Sequence, residues 1–113
     1  MLRECTDLEG AILFLVGFVF GGSHVEDWRR WQTEVLRFAD QFTSRDLQDA
    51  FENLAAEDLL VLTNHCNQPF RSDQRRHFFA GLFRATLTLE GAQYFHSLRV
   101  TTVGGKIHVG AAA

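Results

Sequence analysis

The sequence predicts a mainly helical α+β domain: a three-helix layer with a small antiparallel sheet, a fourth helix and a C-terminal β-hairpin. Three features of the pattern lead there. Serine or threonine caps open several helical periods, the period collapses to a short apolar run at 59–63, and paired glycines at 104 and 105 separate two β-rich flanks. With 113 residues, 46% hydrophobic content and one proline, residues 1–113 suit a single domain with its own core. Eleven phenylalanines and two tryptophans make that core aromatic.

The first helix is expected from the capping pair Thr6 and Glu9 to the stop at Gly21-Gly22. Its apolar run, Ala11 to Phe20, is too short for a membrane span, which takes about 20 residues. Arg3 is outweighed by Glu4, Asp7 and Glu9, which argues against a secretory signal. Apolar groups face every side of this helix, so it must be covered either at the centre of the domain or by a second copy in a homodimer. Ser23 and Glu26 repeat the capping pattern and predict a second helix reaching Gln41, with Val25, Trp28, Trp31, Val35, Phe38 and Phe42 as one apolar stripe. Arg29, Arg30 and Arg37 lie off that stripe among acids, as a solvated face would.

Thr43 and Asp46 form the clearest capping box, opening a helix over 44–58 with Leu47, Ala50, Phe51 and Leu54 inward. Leu59-Leu60-Val61-Leu62 then reads as a buried strand. Polar residues and Pro69 make 64–74 a loop. Beyond it the pattern divides: Phe78, Phe79, Leu82 and Phe83 suit a helix capped by Ser72, whereas the alternation from Leu82 to Leu89 suits a strand, preferred for 82–88. Thr88 caps a fourth helix to about Leu98. Residues 99–103 and 106–109 flank the glycine turn, and Gly110 with the last three alanines is expected to fray.

Charge is unevenly spread. Residues 1–58 carry five arginines against twelve acids, and residues 59–113 carry six basic residues against two acids, within a net charge of −3. Cys5 and Cys66 lack a C-x-x-C spacing and read as reduced thiols of a cytoplasmic protein, a single disulfide being the alternative. No nucleotide loop, serine elbow or carboxylate pair occurs, so neither an enzyme nor a small-molecule substrate is expected. His65, Cys66 and His77 lack the paired spacing of a metal site, and no cofactor is expected.

The order of elements, together with two short motifs, resembles the winged helix-turn-helix superfamily over roughly residues 8–98. Leu87-Thr88-Leu89-Glu90-Gly91 is similar to the Leu-Thr-x-x-Gly pattern after the second wing strand. Leu54-Ala55-Ala56-Glu57-Asp58-Leu59-Leu60 resembles the run of leucine, spacer, acid, glycine and leucine that joins helix to strand, with Asp58 where glycine is usual. The resemblance implies that 44–58 is the recognition helix and 64–77 the wing of a transcription regulator.

On that basis Arg71, Arg75 and Arg76, with Arg84 and Arg45, are the candidates for DNA phosphates, and Gln48 and Asn53 for base edges. Two departures cut against this reading. The second helix is longer than the family's, and 44–58 sets Arg45 against Asp46, Asp49, Glu52, Glu57 and Asp58, which phosphates would repel. The alternative is a protein-binding module that docks Asp46, Asp49, Glu52 and Glu57 onto a basic partner surface, as small inhibitors of phages or mobile elements do.

Overall fold

The computed structural model describes residues 7–19, 23–36, 41–103 and 106–111. In chain order these form α1 (Asp7–Phe14) with a π-helical continuation (Leu15–Val19), β1 (Ser23–Glu26), α2 (Trp28–Val35), α3 (Ser44–Ala56) and β2 (Leu60–Asn64). A 3-10 turn (Ser72–Gln74) then runs into α4 (Arg75–Ala80), followed by β3 (Phe83–Leu87), α5 (Leu89–His96), β4 (Leu98–Val103) and β5 (Lys106–Ala111). The coarse class is α+β, mainly helical. The Thr6 cap, Phe20, the Gly21-Gly22 stop, the Gly104-Gly105 turn, Cys5 and the far end of the second helix at 37–40 lie outside the described residues.

α3 forms as its sequence dictates. The Thr43 hydroxyl accepts the Asp46 N–H at 3.0 Å, and the Asp46 carboxylate accepts the Thr43 N–H at 2.9 Å. Leu47, Ala50, Phe51 and Leu54 form the buried face. The helix closes in a Schellman turn: Leu59 N–H donates to the Leu54 carbonyl at 3.0 Å and Asp58 N–H to the Ala55 carbonyl at 3.1 Å, with Asp58 left-handed at φ 59°. Glycine would adopt that angle more easily.

Three expectations need correction. Ser23 does not cap a helix: residues 23–26 are strand β1, and Asp27 caps α2 by accepting the Arg30 N–H at 2.9 Å. The Asp27 signal lies four residues behind Ser23, and pairing with β3 claims the residues between them. β2 is not buried on both faces, because Leu60 and Leu62 turn inward while Val61 is 47% exposed. Gly110 and Ala111 are not frayed, since they pair with Arg99 and Leu98 in the hairpin of β4 and β5.

β3 occupies the centre of an antiparallel sheet of order β1-β3-β2, with Val25 opposite Arg84 and Leu60 opposite Leu87. The split reading of residues 72–88 resolves into both forms, a helix to Ala80 and a strand from Phe83. Phe83 and Ala85 point into the core, where Phe83 meets Phe51 edge-on at 5.5 Å and Phe79 at 5.2 Å, and Trp31 meets Phe51 at 5.0 Å. Such contacts add about 0.5–1.5 kcal/mol each to area burial.

α1 packs within the domain. Ala11, Ile12, Leu13, Leu15 and Val16 are buried against α2, α3, α5, β3 and β5, and Gly17 makes room for the Phe95 ring. Phe18, in the Ala11 to Phe20 run expected at a homodimer seam, is 70% exposed. Among the described residues no helix is long and apolar enough to cross a membrane.

The junction after β3 holds the closest approach to a glycine among the described residues. Thr88 caps α5 by accepting the Gly91 N–H at 2.9 Å, donates its hydroxyl to the Asp58 carbonyl, and donates its N–H to the Leu59 carbonyl at 3.2 Å. A Cβ on Gly91 would stand 1.9 Å from that Leu59 oxygen, so only glycine fits.

Candidate nucleic-acid interface

The outward side of α3 carries Arg45, Gln48, Asp49, Glu52 and Asn53, and α4 lies beside it. Trp28 fixes the start of α3 by donating its indole N–H to Ser44 Oγ at 3.0 Å, and its ring packs 4.9 Å from Phe79 of α4. α2 thereby ties both helices together.

Between α3 and α4 the charges meet directly. The Arg75 guanidinium donates to Asp49 Oδ1 at 2.6 Å and to Glu52 Oε2, while Ser72 Oγ donates to Glu52 Oε1 at 2.7 Å. Partial burial alone would push the Arg75 guanidinium down, but hydrogen bonds and charge from Asp49 and Glu52 outweigh it and hold the group above its ordinary value. The Asp46 carboxyl sits below its ordinary 3.8, held there by the Thr43 N–H and then the Thr43 hydroxyl. Asp46, Asp49 and Glu52 thus each hold a partner within the protein. Glu57 and Asp58 stand at the far end, in the helix C-cap and the left-handed turn.

What remains on this side is a pair of open clefts. One, of about 510 Å³, is bordered by Arg45, Asp49, Glu52, Asn53, Ser72 and Arg75; the other, of about 430 Å³, by Arg45, Gln48 and Arg76 over a floor that includes Trp28 and Phe79. Arg45 and Arg76 are exposed and make no ion pair among the described residues. Guanidinium groups so placed can bind phosphate oxygens, and Gln48 and Asn53 offer both donors and acceptors.

The arginines expected to work together are therefore separated. Arg75 is committed to α3. Arg71 pairs loosely with Asp73 at 3.4 Å and faces a different cavity, on the other side of α4. Arg84 points outward from β3, opposite Thr63 of β2. Of the candidates, Arg45, Gln48, Asn53 and Arg76 share a face with Arg75. Ser72, read as a helix cap, serves instead as a partner of Glu52, and α4 starts without a side-chain cap. No local spacing announces a bond across twenty residues; the only sequence trace of it is the opposite charge of the two halves.

Among the described residues there is no cluster of three or more His, Cys, Asp or Glu able to hold a metal, and Cys66 is an exposed free thiol. No protein-family model matches the chain, and no curated protein or solved structure matches it.

Proposed function

We propose that this is a non-enzymatic, winged-helix-like regulatory protein that contacts duplex DNA with the face shared by α3 and α4. Arg45 and Arg76 take phosphates, and Gln48 and Asn53 address base edges in the major groove. The succession of α1, β1, α2, α3, β2 and β3, with sheet order β1-β3-β2, supports the winged-helix part of this reading. One observation carries the DNA part: Arg75 pairs with both Asp49 and Glu52, and with Arg45 and Arg76 beside Asp46 this face is balanced in charge rather than acidic, so a phosphate approaching α3 meets two exposed guanidinium groups that make no ion pair among the described residues. As a transcription regulator it would act in the cytoplasm, with Cys66 reduced.

Docking of Asp46, Asp49, Glu52 and Glu57 onto a basic partner protein has less support, because Arg75 already pairs with Asp49 and Glu52 and would compete with the partner's cations for them. The discriminating experiment is a gel-shift or anisotropy series on random duplex DNA at rising salt. With Arg45 and Arg76 each neutralising one phosphate, log K should fall against log salt with a slope of roughly −2, and Arg45→Ala with Arg76→Ala should remove most of that slope. Absence of binding at the lowest salt ends the DNA reading.

A further inference from the structure

The connection between β2 and β3 encloses a cavity that the DNA face does not use. It measures about 340 Å³ and lies between the turn after β2 and the outer side of α4. Arg71, His65 and His77 supply its cationic and N–H donor groups, Gln74 an amide, and Phe78 and Leu82 an apolar wall. No aspartate or glutamate lines it. A recess of about 200 Å³ continues past His65 and Leu82 to Arg84. Arg71 keeps donors to spare, because its one carboxylate contact, to Asp73, is 3.4 Å long between two largely exposed side chains.

The turn that forms one wall is tied by hydrogen bonds. Asn64 Oδ1 accepts the N–H groups of Cys66 at 2.9 Å and Gln68 at 3.0 Å, and Phe70 N–H donates to the Leu62 carbonyl at 2.9 Å. The Phe70 ring then stacks edge-on against Phe78 at 5.0 Å. Gly81 is the telling residue. Its backbone is extended, at φ −116° and ψ −168°, and a Cβ there would meet nothing within 4 Å. Neither conformation nor packing calls for glycine, and this residue borders the cavity.

We infer that this cavity binds a small amphipathic anion, an apolar ring or short chain bearing one carboxylate or phosphate. The anionic group engages Arg71 with the imidazole N–H groups, and the apolar body lies on Phe78 and Leu82. The size falls within the range of ligand sites, and a guanidinium fork matches both anion types. The inference stands on the β2–β3 connection alone and is independent of DNA binding.

The test is an NMR titration of the ¹⁵N-labelled full chain with benzoate and with phenyl phosphate, against benzamide and inorganic phosphate. At least one aromatic anion should give saturable shifts confined to residues 64–84 with Kd about 1 mM, as suits so few atoms. Which of the two binds more tightly assigns the anionic group. Gly81→Val, compatible with the extended backbone, should abolish saturation while keeping the rest of the spectrum, and Arg71→Gln should weaken binding about tenfold. The inference is overturned if neither aromatic anion saturates by about 20 mM, or if benzamide or inorganic phosphate binds equally well. It is overturned equally if both variants bind as the parent does.

Discussion

The closed end of the β2–β3 pair, where α3 runs into β2 and β3 into α5, differs in kind from the open end, the 65–82 connection. At the closed end, Leu59, Thr88 and Gly91 meet through backbone hydrogen bonds and a contact no side chain could enter. At the open end, Arg75, Asp49 and Glu52 meet through charge at a partly exposed surface, and the rest is turn geometry around Asn64. The first arrangement depends on shape and is intolerant of change; the second is adjustable and salt-sensitive. Stability should therefore reside at one end and recognition at the other.

The contrast can be broken most sharply at Gly91. Gly91→Ala should cost about 3 kcal/mol or more in urea unfolding, because the Leu59 carbonyl must move and both its hydrogen bond to Thr88 and the sheet beyond it are strained. A loss below about 1 kcal/mol would mean that the junction is softer than its geometry. At the open end, Arg75→Ala leaves Asp49 and Glu52 facing each other but partly hydrated, and should cost about 1 kcal/mol at low salt. That loss should shrink in high salt, where the Gly91→Ala loss should not.

The smallest effect sharpens the comparison through pH. The folded-state value of Asp46 lies below its unfolded one, so its carboxylate contributes above the ordinary 3.8 and stops contributing as pH falls through the lowered folded value. The stability difference between parent and Asp46→Asn should accordingly be constant near neutrality and vanish in acid. Unfolding curves at several pH values would detect a difference that persists, which would move the effect away from the cap.

Legibility in the sequence follows the same division. Thr43 with Asp46, and Thr88 with Gly91, act within three residues, so local chemistry announces both α3 and α5. The Leu-Thr-x-x-Gly motif also locates the tight junction, although not the Leu59 oxygen that makes the glycine necessary. β1 was hidden because Ser23 and Glu26 have a cap's spacing while their pairing partners lie some sixty residues away in β3. α4 was ambiguous for a related reason: Phe78, Phe79 and Phe83 all enter one aromatic core, yet two come from a helix and one from a strand. At the candidate DNA face, residue types were readable but their allegiances were not. Arg75 and Arg76 are adjacent letters with opposite commitments, one bound to α3 and one without an ion pair among the described residues.

The clasp of Thr88 on Asp58 and Leu59 also determines where this architecture can vary. Because Leu60 and Leu87 are brought opposite each other from outside the hairpin, the alignment of the two strands does not rely on the connection between them. Insertions or deletions around residues 65–71 can then be absorbed without a slip that would turn Phe83 and Ala85 to solvent. The scaffold is suited to exchanging this connection wholesale while its interior stays as it is.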